Sequence, residues 1–161
     1  NQISDFSPLT NLSSLVGLGL GANRINDISP FLDSNLPSLT TLFLDFDQIV
    51  DIGPLSTLTS LEVLSLNTNE IVDISALSNL TSLTQLSLNE NRISDISSLS
   101  NLTSLTVLEL SNNQITDIAA LVNNSGLGAN DIIGLLANPL GAFALSTQIP
   151  TLEARGVTVI Q

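Results

Sequence analysis

Apolar residues recur along this chain in one phrase. From residue 61 it reads Leu61-x-x-Leu64-x-Leu66-x-x-Asn69-x-Ile71-x-Asp73-Ile74. It returns as Leu83, Leu86, Leu88, Asn91, Ile93, Asp95 and Ile96, and again as Leu105, Leu108, Leu110, Asn113, Ile115, Asp117 and Ile118. Earlier copies start at Leu15 (Leu18, Leu20, Asn23, Ile25, Asp27, Ile28) and at Leu39 (Leu42, Leu44, Asp47, Ile49, Asp51, Ile52). The Asn position falls at 1, 23, 47, 69, 91, 113 and 138, with spacings of 22, 24, 22, 22, 22 and 25 residues. The two extra residues between 23 and 47 fall in Pro30–Pro37, on the far side of the turn, where a longer connection is tolerated.

Each phrase predicts three elements. Leu64 and Leu66 alternate with Ser65, the period of a strand with one buried face. Asn69 then sits where the chain leaves the strand, and its amide can both donate and accept to backbone groups there. Copies stacked one strand spacing apart, about 4.8 Å, place these amides in a ladder. Asp47 interrupts that ladder, because a carboxylate cannot donate, so its turn is expected to be weaker or wetter. Ile74, Leu77 and Leu80 recur every three residues, which fits a short 3-10 or α segment with one buried stripe. Pro30 and Pro54 suit the first helical position, with Ser29 or the preceding Asp as cap. A lone repeat cannot bury its apolar face, so stability must come largely from stacking on neighbours.

The phrase L-x-x-L-x-L-x-x-N-x-I resembles the leucine-rich-repeat consensus over nearly the whole chain. The 22-residue period and the I-x-D-I-S-x-L-x-x-L-T-x-L continuation are similar to the internalin-type bacterial subclass; a cytosolic phosphatase-regulatory subclass shares much of the phrase. The resemblance implies an α/β right-handed solenoid, a horseshoe with a parallel concave sheet and short 3-10 or α segments on the convex side. One leucine-rich-repeat domain is expected over 1–161, with a partial repeat at 1–14, five repeats at 15–121, and a degenerate repeat plus C-terminal cap at 122–161. The opening residues read as the second half of a repeat, so the chain is expected to be a fragment with an open first strand. Within the closing segment, Asn123–Gly128 reads as a loop, and Ile149–Val159 as a last turn and strand.

Composition removes whole classes of chemistry. Cys, His, Met, Trp and Tyr are absent, which excludes disulfides, thiolate zinc sites and imidazole relays. Three Arg face fifteen acids, for a net charge of −12, so no nucleic-acid footprint exists. No apolar run reaches the ~18 residues of a membrane span. No carboxylate pair stands apart for acid–base work, because the acids recur with the repeat, so no catalytic site is expected. Gly17-Leu-Gly19-Leu-Gly21 lacks the Lys and the strand–turn–helix setting of a phosphate loop. Asp45-x-Asp47-x-x-x-Asp51 does not form a calcium loop, since Asp45 faces out of the sheet and Asp47 faces in. Asp5, Asp27, Asp51, Asp73, Asp95 and Asp117 form a second ladder, read as turn and helix caps in preference to calcium bridges.

The x positions of the strands face the concave side and carry the candidate binding residues. These are Phe43, Asp45, Phe46, Glu62, Val63, Asn67, Gln85, Asn89, Glu90, Val107 and Glu109. The charged members of the face are Asp45, Glu62, Glu90, Glu109 and Asp131, all acidic. Phe43 and Phe46 are two of five aromatics; exposed rings beside acids and amides compose an anchor and its rim. The alternative for Phe43 is packing along the sheet against Val63 or Gly19, and for the acids a solubilising role. The expected function is non-catalytic recognition of a protein, peptide or glycan, with a basic ligand favoured, by a monomer without cofactors that neither binds nucleic acid nor inserts in a membrane. The resemblance implies a secreted or surface-attached bacterial protein; the alternatives are a cytosolic regulatory scaffold and a structural spacer.

Overall fold

A computed structural model describes residues 2–161; Asn1, the first expected ladder position, lies outside them. Seven three-residue strands form one parallel sheet in chain order. They are β1 (Gly17–Gly19), β2 (Thr41–Phe43), β3 (Val63–Ser65), β4 (Gln85–Ser87), β5 (Val107–Glu109), β6 (Ile132–Gly134) and β7 (Thr158–Ile160). Equivalent repeat positions pair, as in Leu42 with Leu64 and Leu64 with Leu86. The opposite side carries 3-10 segments at Ser7–Leu9, Ser29–Phe31, Gly53–Thr57, Ser75–Asn79 and Ser97–Asn101, then helix α1 (Ala119–Asn123). The last turn is more helical than the sequence predicts: a π segment at Ala144–Gln148 runs into helix α2 (Ile149–Glu153) before β7.

Between the layers lies one continuous apolar column. Leu42, Leu44, Ile49 and Leu55 are fully buried, and so are their counterparts Leu86, Leu88, Ile93 and Leu99. Phe6 and Phe31 fill the N-terminal part of it, with ring centroids 4.8 Å apart. No helix among the described residues is long and apolar enough to cross a membrane.

The Asn ladder ties each repeat to the next. Asn69, Asn91, Asn113 and Asn138 accept at Oδ1 from the N–H of Ile49, Ile71, Ile93 and Ile115, each in the preceding repeat, at 3.0–3.1 Å. Each Nδ2 donates back: Asn91 reaches the Leu66 carbonyl of the previous repeat at 2.9 Å and its own Leu88 carbonyl at 3.1 Å. Asp47 does only half of this. Its Oδ1 accepts from Asn23 N and Ile25 N, while its buried Oδ2 has no partner. Burial pushes its carboxyl above the ordinary carboxylate range; the bonds from Ile25 and Asn23 oppose the rise, and the nearby Asp45 adds to it.

The second ladder closes turns just ahead of the convex segments and does not cap them as expected. The cap positions are Ile28, Ile52, Ile74, Ile96 and Ile118, with no side-chain cap bond; Ser29 is the first helical residue, and Pro30 and Pro54 are second in their segments. Asp5, Asp27, Asp51, Asp73, Asp95 and Asp117 each accept, at Oδ1, the N–H two residues on, at 2.7–2.9 Å. These bonds hold Asp27 and Asp73 below the usual range; for Asp5 the first cause is the Ser7 hydroxyl and for Asp117 the Gln148 amide. Buried Gln148 donates to Asp117 and accepts from Ile118 N, so the terminal segment docks on the last regular repeat through one side chain. Asn124, expected in a loop, is fully buried and donates to the carbonyls of Leu99 and Leu102. Gly126 beside it must be glycine, because a Cβ there would lie 2.0 Å from the Thr103 carbonyl oxygen.

Two outcomes follow for stability. Asn91→Ala removes one acceptor and a shared donor from the core and should destabilise by about 3 kcal/mol in chemical denaturation. Asp47→Asn restores the missing donor and should stabilise by about 1–3 kcal/mol at pH 7. Asp47 has a raised carboxyl pKa in the fold, so it weakens the folded state when ionised and that penalty fades as the pH drops through its raised value. The gain from Asp47→Asn must therefore shrink on acidification, which denaturation midpoints at pH 7 and pH 4 will show.

Candidate functional site

Strand alternation sorts the outward residues into columns that cross the sheet. One column is Gly17, Thr41, Val63, Gln85, Val107, Ile132 and Thr158; the next is Gly19, Phe43, Ser65, Ser87, Glu109, Gly134 and Ile160. Two residues further on, Gly21, Asp45, Asn67, Asn89 and Ser111 follow the strands. The chain then bends through Ala22, Phe46, Thr68, Glu90, Asn112 and Ala137, all in left-handed backbone with φ of 55–58°. None of these six is Gly, although the region favours it. Thr68, being β-branched, is the most strained of them.

The Asp45 column is a ladder that the sequence analysis missed. Asp45 Oδ1 accepts the N–H of Asn67 at 2.8 Å, the Asn67 side-chain amide at 2.9 Å and the Ser65 hydroxyl. Asn67 Oδ1 in turn accepts Asn89 N, and Asn89 Oδ1 accepts Ser111 N. The signal was present, since an Asx residue recurs at 45, 67 and 89 with the repeat. Asn67 and Asn89 are thus already engaged by the fold. Asp45 spends only Oδ1 on it; among the described residues its Oδ2 accepts nothing.

Phe43 and Phe46 stand at the N-terminal end of this face, 43% and 63% exposed. A Cβ built on Gly19 would meet nothing within 4 Å, so the Phe43 ring does not cover its Gly19 neighbour. That end of the sheet is a bare floor of Gly17 and Gly19 with a phenyl wall. Glu62, Gln85 and Glu90 are exposed, and Val63, Val107 and Glu109 are half-buried. Glu109 lies across Gly134, where a Cβ would come within 2.1 Å of its Oε2. Thr68 donates to Glu90 at 3.2 Å. Asp131 does not belong with the exposed acids: it is buried, and its Oδ2 accepts Gly128 N at 2.7 Å, closing a turn before β6.

Arg92 pairs with Glu70 at 3.1 Å beyond the bend, and Arg155 reaches the Asn124 carbonyl near the C-terminal turn. Among the described residues no three carboxylates converge as a metal cluster. Exposed rings beside exposed acids make this face the candidate binding surface.

The left-handed bend gives a direct check. Thr68→Gly removes the β-branched strain and should stabilise by about 0.5–1 kcal/mol despite the greater freedom of the unfolded chain. Equilibrium denaturation measures it, and a loss would mean that the Thr68 side chain supports the fold.

Comparison with known proteins agrees with this architecture. The family described as leucine-rich repeats, in two copies, matches residues 37–79 and 81–123. No curated protein matches the chain as a relative. Among solved structures, an internalin of Listeria monocytogenes is 31% identical, with a TM-score of 0.80, over 99% of this chain and 51% of its own. An internalin C2 of the same organism is 36% identical, with a TM-score of 0.67, over 78% of this chain and 65% of its own. A leucine-rich-repeat protein of Leptospira interrogans shares the fold at 23% identity and a TM-score of 0.78, over 96% of this chain and 45% of its own. The chain spans about half the length of the first of these internalins. With its Leu and Asn positions stacked in register from β1 to β6, the chain belongs to the leucine-rich-repeat family and is internalin-like.

Proposed function

We propose that the chain is a non-catalytic module that binds a protein on the outer face of its sheet, at the β1–β3 end. One observation carries the reading. Phe46 is a large apolar side chain held in left-handed backbone at φ 58° and 63% exposed. The left-handed bend belongs to every repeat, but the exposed ring at 46 does nothing for the fold, and an exposed aromatic is what an anchor requires. Phe43 extends the same patch, and Glu62 and Glu90 form an acidic rim that speeds encounter with a basic partner. A protein ligand is favoured over a glycan, because the rings sit on an open sheet rather than in a cleft.

We infer a secreted or surface-attached bacterial setting, supported by the likeness to internalins. We read residues 1–161 as one domain, with 122–161 as its C-terminal cap, supported by the docking of Gln148 and the burial of Asn124.

An array of purified cell-surface ectodomains tests the reading. Binding should fall at least about tenfold when Phe43 and Phe46 are both changed to Ala, the scale of losing one anchor. Binding should survive Leu32→Ser on the opposite side. A partner indifferent to the Phe pair would place recognition elsewhere.

A further inference from the structure

We infer that Phe43, Asp45 and Phe46 together receive a single arginine side chain of a protein partner. The inference rests on the outer sheet face being the binding face, and it specifies the chemistry of the contact.

The repeats supply an internal comparison. At 45, 67 and 89 the same structural task is done, acceptance of the next repeat's backbone N–H by one side-chain oxygen. Asn performs it at 67 and 89. A carboxylate is therefore not needed at 45, and its charge is surplus to the ladder. Three donors fix Oδ1 in place, which orients Oδ2 at no further entropic loss. Asp45 is half-buried, and its Oδ2 has no partner among the described residues.

What surrounds it selects the occupant. Phe43 and Asp45 point to the same side of the strand, roughly 7 Å apart. Phe46 follows immediately at the bend. A fixed carboxylate oxygen beside exposed phenyl rings suits a cation that can accept both an ionic hydrogen bond and contact with a ring face. Guanidinium meets both demands better than ammonium, because it is planar and weakly hydrated and its five donors can be shared between groups. Gly17 and Gly19 leave the adjacent floor free of side chains, so a long side chain can lie flat across β1. Arg92 and Arg155 are engaged elsewhere, with Glu70 and with the Asn124 carbonyl.

The test is a titration of the isotope-labelled chain, followed by amide NMR shifts, with three end-blocked amino acids: arginine, lysine and citrulline. Arginine should give saturable shifts centred on residues 17–21 and 43–46; lysine should bind more weakly and citrulline not at all. Asp45→Asn keeps the ladder acceptor and lifts the repulsion on Asp47, so it should stay folded while losing arginine affinity by about tenfold, the scale of one charge-assisted hydrogen bond. Phe46→Ala should also weaken arginine, which keeps the test decisive should Asp45→Asn fold poorly. Equal binding of citrulline, unchanged affinity in Asp45→Asn, or unsaturable shifts spread over all the acids would overturn the inference. If an array partner needs Phe43 and Phe46 yet ignores Asp45→Asn, only the arginine assignment falls; if it ignores the Phe pair, the binding face itself falls.

Discussion

No repeat of this chain can complete its own hydrogen bonding. The N–H of Ile49, Ile71 and Ile93, where each strand has ended, is answered only by the Asn of the following repeat. Every turn is therefore folded by its neighbour, and buried backbone groups left unanswered would be costly. This constraint fixes the period, aligns the strands in register and stacks the leucines into one column. It also holds the sheet in register, with no α-helix longer than five residues among the described residues and no Cys in the chain.

That register frees the outward columns from structural duty, though only in part. Asn67 and Asn89 turn back into the fold, and Asp131 closes a turn. The exposed rings proposed for a partner are concentrated in the repeat that begins at Leu39. This repeat departs from its neighbours at Phe43, Asp45, Phe46 and Asp47 together. Local violations of an otherwise consistent pattern are expected where function has been bought with stability. Asp47 carries that signature most clearly, since its buried oxygen has no partner.

Much of this was legible before the structure. The Leu and Asn spacing named the strands, their parallel stacking and the buried stripe, because each depends on a single side-chain property repeated at a fixed interval. The Asp turns were legible too, since an Asp stands two residues before each convex segment from Ser7 to α1, though the cap positions themselves fall to Ile. Three features were not. The Asp45–Asn67–Asn89 ladder is hidden because an outward-facing amide looks the same whether it meets solvent or the next backbone. Asn124 lies in the loop as expected, but its burial is hidden because its partners, the carbonyls of Leu99 and Leu102, are distant in sequence. Asp131 falls at a concave position by register, but the irregular turn before β6 reclaims it.

The central claim is that the Leu39 repeat trades stability for recognition. Native-state hydrogen exchange reads this residue by residue. The amide of Ile25 is held by Asp47, whereas those of Ile71 and Ile93 are held by Asn91 and Asn113. Ile25 should exchange through openings at least about 1 kcal/mol easier than Ile71 and Ile93, the scale of one poorly satisfied buried group. In Asp47→Asn that gap should close. Equal protection at all three amides in the parent chain would contradict the account.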